Sequence, residues 1–185
     1  MFAIAITLLV LEIRRPAGDR PLAHALLDQW PSYLAYVVSF LTIGIIWVNH
    51  HALFDRVARA DRTLLFTNLV LLMFVSFIPF PTGMVAERVR SGADEDVAAA
   101  VYAATLLVMG FAFFLNSHHA RRARLFERTL TPPEERALVA RNVVGQGGYV
   151  AAVALAFASA TASLVLCGLV AVYYVVPGRA VPDPA

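Results

Sequence analysis

Residues 143–176 form an unbroken stretch of 34 residues without a formal charge. As one α-helix, at 1.5 Å per residue, this stretch would be about 51 Å long, whereas the hydrocarbon core of a bilayer is about 30 Å thick. It is too long for one crossing and too apolar for a soluble surface. It reads as two short membrane helices joined by a turn near residues 159–163. Four further apolar runs precede it, at residues 1–13, 33–54, 64–80 and 97–115. The expected architecture is an all-α membrane protein with six transmembrane helices, at 1–13, 33–54, 64–80, 97–115, 143–158 and 163–176. Residues 177–185 read as a loose C-terminal tail.

Composition narrows the classes further. Of the 185 residues, 59% are hydrophobic and 15% charged, and the mean hydropathy is +0.69. Soluble domains carry about 25% charged residues. A soluble chain of this size buries only roughly 70% of its unfolded surface, which leaves too much apolar surface in water. A soluble enzyme, a disordered chain and a disulfide scaffold are therefore excluded. The single Cys167 has no intramolecular partner with which to form a disulfide.

Local signals punctuate the runs. Pro31 suits the first turn of the second helix. Pro79-Phe80-Pro81 reads as the end of the third. Asp94, Glu95 and Asp96 stand where the dipole of the fourth helix favours acids. Thr131-Pro132-Pro133-Glu134-Glu135 resembles the start of a short surface helix.

All 15 basic residues are arginines, and they occupy the gaps between apolar runs rather than one aromatic-laced face. That distribution excludes a nucleic-acid binder and reads as topology. With six spans, ten arginines fall on the side of the N-terminus: Arg56, Arg59, Arg62, Arg121, Arg122, Arg124, Arg128, Arg136, Arg141 and Arg179. Five fall opposite: Arg14, Arg15, Arg20, Arg88 and Arg90. The positive-inside rule then puts both termini in the cytoplasm, in a multi-pass protein of the cell membrane.

Chemistry-bearing motifs are sparse. The sequence has no phosphate-cradling loop, metalloprotease motif or CxxC pair. No acid lies inside a run except Glu12, at the edge of the first, which counts against a proton-coupled transporter. His50 and His51 are adjacent, so on a helix they diverge by about 100° and do not chelate one metal. They read instead, with Trp47 and Asn49, as a polar network inside the bundle. His118 and His119 read as a wetted interface beside Arg121 and Arg122. Gly145-Gln146-Gly147-Gly148-Tyr149 lacks the order of a potassium-channel filter. Gly148, Ala152, Ala156 and Ala160 instead form a small-residue ridge that lets two membrane helices approach closely. In the first helix Ile4, Thr7 and Leu11 share one face. That stripe alone reads as lipid or core contact, with a hydroxyl able to bond back to its own helix.

The stretch Phe2-Ala3-Ile4-Ala5-Ile6-Thr7-Leu8-Leu9-Val10-Leu11-Glu12-Ile13 resembles the first transmembrane helix of the bacterial TMEM175-like potassium channel family. Trp47-Val48-Asn49-His50-His51-Ala52-Leu53-Phe54 resembles that family's second-helix motif. The resemblance extends over nearly the whole chain. It implies a homotetramer of six-helix subunits whose first helices surround a central pore in the lipid bilayer. It further implies that Ile4 forms a narrow apolar ring, Thr7 a ring of hydroxyls and Leu11 an outer constriction. Potassium would be the permeant ion, with no cofactor, no bound metal and no enzymatic reaction. An apolar ring offers an ion no ligands, so it would gate by dewetting or select through dehydration cost. Family members carry an Arg-x-x-x-Phe-Ser-Asp motif just before the stretch matching residues 2–13. This sequence opens after the place that motif would occupy, so the first helix is expected to begin upstream of Met1 or to lack its cytoplasmic half. The alternatives are a non-conducting membrane assembly subunit, or a transporter or membrane enzyme that depends on His50 and His51.

Overall fold

Pro31, Asp61, Pro79 and Thr131 stand where four of the helices begin. The computed structural model describes residues 1–13, 21–128 and 130–175. Arg14, Arg15, Arg20, Val176, Arg179 and the tail 177–185 lie outside the described residues. Helix α1 (Phe2–Leu9) tightens into a 3-10 turn over Val10–Glu12. A short α2 (Leu22–Leu27), which the apolar pattern did not indicate, precedes α3 (Trp30–Phe54), whose first turn holds Pro31. Then come α4 (Arg62–Phe77), α5 (Pro79–Ser91), α6 (Glu95–Arg122), α7 (Pro132–Ala156) and α8 (Ala160–Val175). Among the described residues the non-helical pairing is one isolated antiparallel bridge, Val57 with Phe126.

Two boundaries differ from the sequence expectation. The third run stops beside Pro79 and Pro81, with α4 ending at Phe77, but the chain does not leave the helical state there. The helix yields at Ile78 and resumes as α5, with Thr82 N–H reaching Ile78 O at 3.2 Å. The first N–H groups of any helix lack an intrahelical acceptor, so prolines cost little there. Likewise, Thr131–Glu135 opens no short surface helix. It starts the 25-residue α7, through a capping box in which Glu134 accepts from the Thr131 N–H at 2.7 Å. Nothing between Glu135 and Val143 breaks a helix, so the turn propagates directly into the apolar run. Measured by length and hydropathy, four helical stretches could cross a membrane: Trp30–Phe54, Arg62–Val89, Glu95–Arg122 and Pro132–Ala156. Phe2–Glu12 and Ala160–Val175 are shorter and equally apolar in character.

The 34-residue uncharged run turns at Phe157–Ser159. Ser159 Oγ accepts the Ala162 N–H at 3.3 Å, and Ser163, already inside α8, donates to Ala152 O at 2.7 Å. That bond ties α8 to α7 along the small-residue ridge. Ala152, Ala156 and Ala160 are buried. A Cβ on Gly148 would sit 2.5 Å from Val170 Cγ2, so the Val170 side chain of α8 packs into the space that the glycine leaves on α7.

Helix α6 is the centre of the subunit. It packs against α4, α5, α7 and α8. Its buried face is mostly alanine, from Ala98 to Ala120, with Leu106 and Met109 filling the middle. A buried hydroxyl knot holds α5 to α3 and α6: Ser39 Oγ lies 2.8 Å from Thr82 Oγ1 and 3.1 Å from Tyr102 Oη. At the end where α4 begins and α6 finishes, Asp61 does two jobs. Its carboxylate caps α4 by accepting the Leu64 N–H at 2.7 Å, and it accepts from His119 Nε2 at 2.8 Å. The loops on either side are clipped by Ala58 N–H to Leu125 O and Glu127 N–H to Arg56 O. His119 is therefore joined to a loop carboxylate rather than only wetted at the interface.

Gly148→Val should cost about 1–3 kcal/mol, the range for overpacking a tight contact, when unfolding is followed in mixed micelles. Gly147→Ala, which meets nothing within 4 Å, should not destabilise. The Asp61 carboxyl is held below its ordinary 3.8, first by the Leu64 N–H and then by His119. A lowered value means the stabilisation is complete above the ordinary one and fades as pH falls through the lowered one. In a His119→Gln background, the unfolding midpoints with and without Asp61→Ala should differ by a constant amount at neutral and mildly acidic pH. They should converge only as the pH drops below that ordinary value.

Candidate functional site: the first helix and the polar chain behind it

Helix α1 has two faces that are both apolar. Ala5 and Leu9 are 0% exposed and belong to the main core, with Phe2 and Ile6 packed beside them. These residues meet α3, α4 and α5. The other face carries Ile4 at 59% exposure, Leu11 at 71%, and the exposed Thr7 and Leu8. At 100° per residue, positions 4, 7, 8 and 11 fall within one third of the helix circumference, opposite positions 2, 5, 6 and 9. The stripe Ile4, Thr7 and Leu11 thus lies on the side that the subunit leaves uncovered, which also takes in Ala3 and Val10. Thr7 Oγ1 donates to Ile4 O at 2.9 Å, so its oxygen keeps a lone pair directed away from the helix. The helix runs from Phe2, whose ring lies 5.2 Å from the His50 ring, to Glu12. There the Glu12 carboxylate lies over Gly83 of α5, in the space a Cβ at that position would take.

The four polar residues of the second-helix motif separate into three environments. His50 points inward. Its Nε2 lies 2.8 Å from Asn68 Oδ1, and its ring stacks on Phe54 at 4.4 Å. Asn49 donates to Ile45 O of its own helix at 2.8 Å. Trp47 and His51 lie on the exposed side, stacked with ring planes 4° apart, and His51 Nε2 is 3.4 Å from Asp55 Oδ2. His50 and His51 therefore point to different surroundings, as adjacent helical residues must.

The inward chain continues through residues that sequence reasoning passed over. Asn116, 0% exposed on α6, donates to Asn68 Oδ1 at 3.5 Å and accepts from Thr67 Oγ1 at 3.2 Å. With both His50 and Asn116 directed at one oxygen, Nε2 of His50 carries the proton. The result is a chain Thr67–Asn116–Asn68–His50 that joins α4, α6 and α3. It ends against Phe2, on the docked side of α1. The available signal was an asparagine inside one apolar run (Asn68) and one at the edge of another (Asn116). Asparagine in such a place requires a partner, although its identity depends on the packing.

The arrangement has no nucleophile–base pair, and among the described residues no group of three or more His, Cys, Asp or Glu could hold a metal ion. What it offers is a short apolar helix, braced from behind by a polar chain and uncovered in front.

Comparison with known proteins gives these features a context. Residues 1–79 match the family model described as endosomal/lysosomal potassium channel TMEM175. A potassium channel of Streptomyces collinus is 51% identical over 177 residues, covering 94% of this chain and 86% of that one. The crystal structure of a lysosomal potassium-selective channel TMEM175 homolog from Chamaesiphon minutus superposes with a TM-score of 0.84 at 40% identity. That match covers 94% of this chain and 90% of the other. The human endosomal/lysosomal proton channel TMEM175 is 33% identical over 105 residues, which is 51% of this chain and 21% of that protein. The relatives are channels rather than enzymes, the resemblance seen in the two helix motifs extends through the fold, and the chain belongs to the TMEM175 family.

Proposed function

We propose that the chain is the subunit of a potassium-permeable channel in the cell membrane. In this reading four copies bring their α1 helices around one axis, and Ile4, Thr7 and Leu11 face the corridor between them. The observation that carries it is the two-faced α1. Its Ala5/Leu9 side is consumed by the subunit, and its Ile4/Leu11 side is apolar, exposed and backed by a fixed polar chain. The potassium-channel names of relatives at 40–51% identity over most of the chain supply the ion. Six crossings, with Phe2–Glu12 and Ala160–Val175 as the short ones, give both termini a cytoplasmic position. No cofactor is invoked, because passive conduction needs none.

The mechanism follows from the side chains. Ile4 and Leu11 offer no ligands, so a ring of either one excludes water until the corridor widens, and an ion crossing it loses part of its hydration shell. Potassium sheds water more readily than sodium, which favours potassium at such a ring. The Thr7 hydroxyls lie between the two rings, and their free lone pairs offset part of the dehydration cost. The Thr67–Asn116–Asn68–His50 chain acts on the opposite side of α1. It fixes the Phe2 end and so sets the distance of Ile4 from the axis.

Purified protein in liposomes should pass potassium down a gradient. Ile4→Asn should raise sodium permeation relative to potassium by about tenfold, the equivalent of 1.4 kcal/mol of lost discrimination. Absence of potassium flux from folded, reconstituted oligomers would reject the channel reading. Unchanged selectivity in Ile4→Asn would remove Ile4 from the corridor. Leu11→Cys in a Cys167→Ser background should form disulfide-linked dimers under mild oxidation, because copies of α1 meet at the axis. Asn116→Ala should destabilise by about 1–3 kcal/mol, the penalty for stranding a buried polar partner, with the loss read by unfolding in mixed micelles.

A further inference from the structure

The two segments joined by the backbone clip carry an excess of positive charge. Residues 55–62, between α3 and α4, and residues 119–127, at the end of α6, hold six arginines against three carboxylates. Two of those carboxylates are engaged, Asp55 with His51 and Asp61 with the Leu64 N–H and His119. Glu127 is exposed. Arg56 is half-buried, and Arg121 turns back to Ser117 O at 3.2 Å. The other four, Arg59, Arg62, Arg122 and Arg124, are exposed, and among the described residues none of them forms a salt bridge.

Two features mark these guanidinium groups out. The first is depth. Arg62 opens the apolar stretch Arg62–Val89 and Arg122 closes Glu95–Arg122, so both stand at the edge of the hydrocarbon. The Arg62 guanidinium lies 5.5 Å over the ring of Phe66, one turn further in and 55% exposed. A cation laid along an outward-facing ring at a helix end sits at headgroup level. The second is backbone conformation. Helix α6 closes with Arg124 N–H to Arg121 O at 3.1 Å and Leu125 N–H to Ala120 O at 2.9 Å, and Arg124 has φ +53°. This is the left-handed C-terminal motif in which glycine is the usual residue. An arginine there bears the strain of that region, so its side chain supplies something that glycine does not. Attraction to the helix C-terminus is already provided by Arg121 and Arg122. The antiparallel bridge of Val57 with Phe126 brings the Arg59 and Arg124 segments side by side, although they are far apart in the chain.

We propose that this arginine face binds the phosphate groups of anionic phospholipids in the adjoining leaflet. Basic clusters immediately beside membrane helices concentrate anionic lipid. A guanidinium matches a phosphate with two parallel N–H donors. Four exposed arginines outnumber the one carboxylate left outside the pairings, so charge complementarity selects an anionic headgroup over a zwitterionic one. The proposal rests on α4 and α6 crossing the bilayer and not on conduction, so its test reads lipid binding.

The full chain in mild detergent is titrated with phosphatidylglycerol, phosphatidylcholine or inorganic phosphate, and the adducts are followed by native mass spectrometry. Phosphatidylglycerol should bind about tenfold more tightly than phosphatidylcholine, and inorganic phosphate should leave no adduct at the same concentrations. Arg59→Gln, Arg62→Gln and Arg122→Gln should each weaken phosphatidylglycerol about fivefold and leave phosphatidylcholine unchanged. Arg88→Gln removes the same charge at the far end of the Arg62–Val89 stretch and should change neither. Arg124→Gly should weaken phosphatidylglycerol by the same factor and, because glycine suits φ +53°, should keep or raise the unfolding midpoint. Equal binding of the two lipids, or an equal loss in Arg88→Gln, overturns the proposal, since net charge alone then accounts for the result. Phosphate bound as tightly as phosphatidylglycerol overturns the lipid as occupant. An Arg124→Gly chain that unfolds earlier and keeps its lipid preference overturns the place of Arg124 in the site.

Discussion

Helix α6 can touch four neighbours because so much of its buried surface is alanine. Ala98, Ala99, Ala103, Ala112 and Ala120 let surrounding backbones come close. In hydrocarbon this closeness matters more than hydrophobicity, since lipid tails are as apolar as leucine and helices gain little by exchanging one for the other. What remains to hold the helices is dispersion at short range and hydrogen bonds that have no competing water. The subunit uses both. The alanine face of α6 and the Gly148, Ala152 and Ala156 ridge of α7 supply the first. The Thr67–Asn116–Asn68–His50 chain, the Ser39–Thr82–Tyr102 knot and the Ser163–Ala152 bond supply the second.

These contacts place α1. It is the shortest of the apolar elements near the main core, and on its own about two turns of helix are not stable in water or as a free element. Its order comes from Ala5 and Leu9 seated against α3, α4 and α5, and from Glu12 lying over Gly83. A helix held along one side only, with the other side apolar and open, is suited to meeting further copies of itself. The proposed corridor follows from that asymmetry.

The sequence was most informative where covalent geometry and periodicity decide the outcome. The run of 34 uncharged residues had to fold back, and it does so at Phe157–Ser159. Pro31 and the acids at 94–96 stand at helix starts. It was less informative about prolines. Pro79 and Pro81 read as a stop, yet a proline is harmless in a first turn, and whether a helix restarts after one residue depends on what the new helix can dock against. Thr82 and its bonds to Ser39 and Ile78 supply that docking. The same holds for α7, whose capping signal was legible but whose length was not.

The residues by themselves determined that this chain is helical, apolar and interrupted by arginine-bearing gaps, because those properties depend on backbone hydrogen bonding and transfer energies summed along the chain. They also placed Ile4, Thr7 and Leu11 on one face of the first helix, a matter of the 3.6-residue period. Only the tertiary structure decided that this face is the uncovered one. Both sides of α1 are apolar, and a sequence pattern does not distinguish an apolar side facing protein from one facing outward. It also decided that His50 turns to Asn68, whereas the stacking of His51 on Trp47, four residues earlier in the same helix, is a local contact. Partners for a buried polar group come from other helices, and which helices lie adjacent is set by packing that local periodicity does not encode.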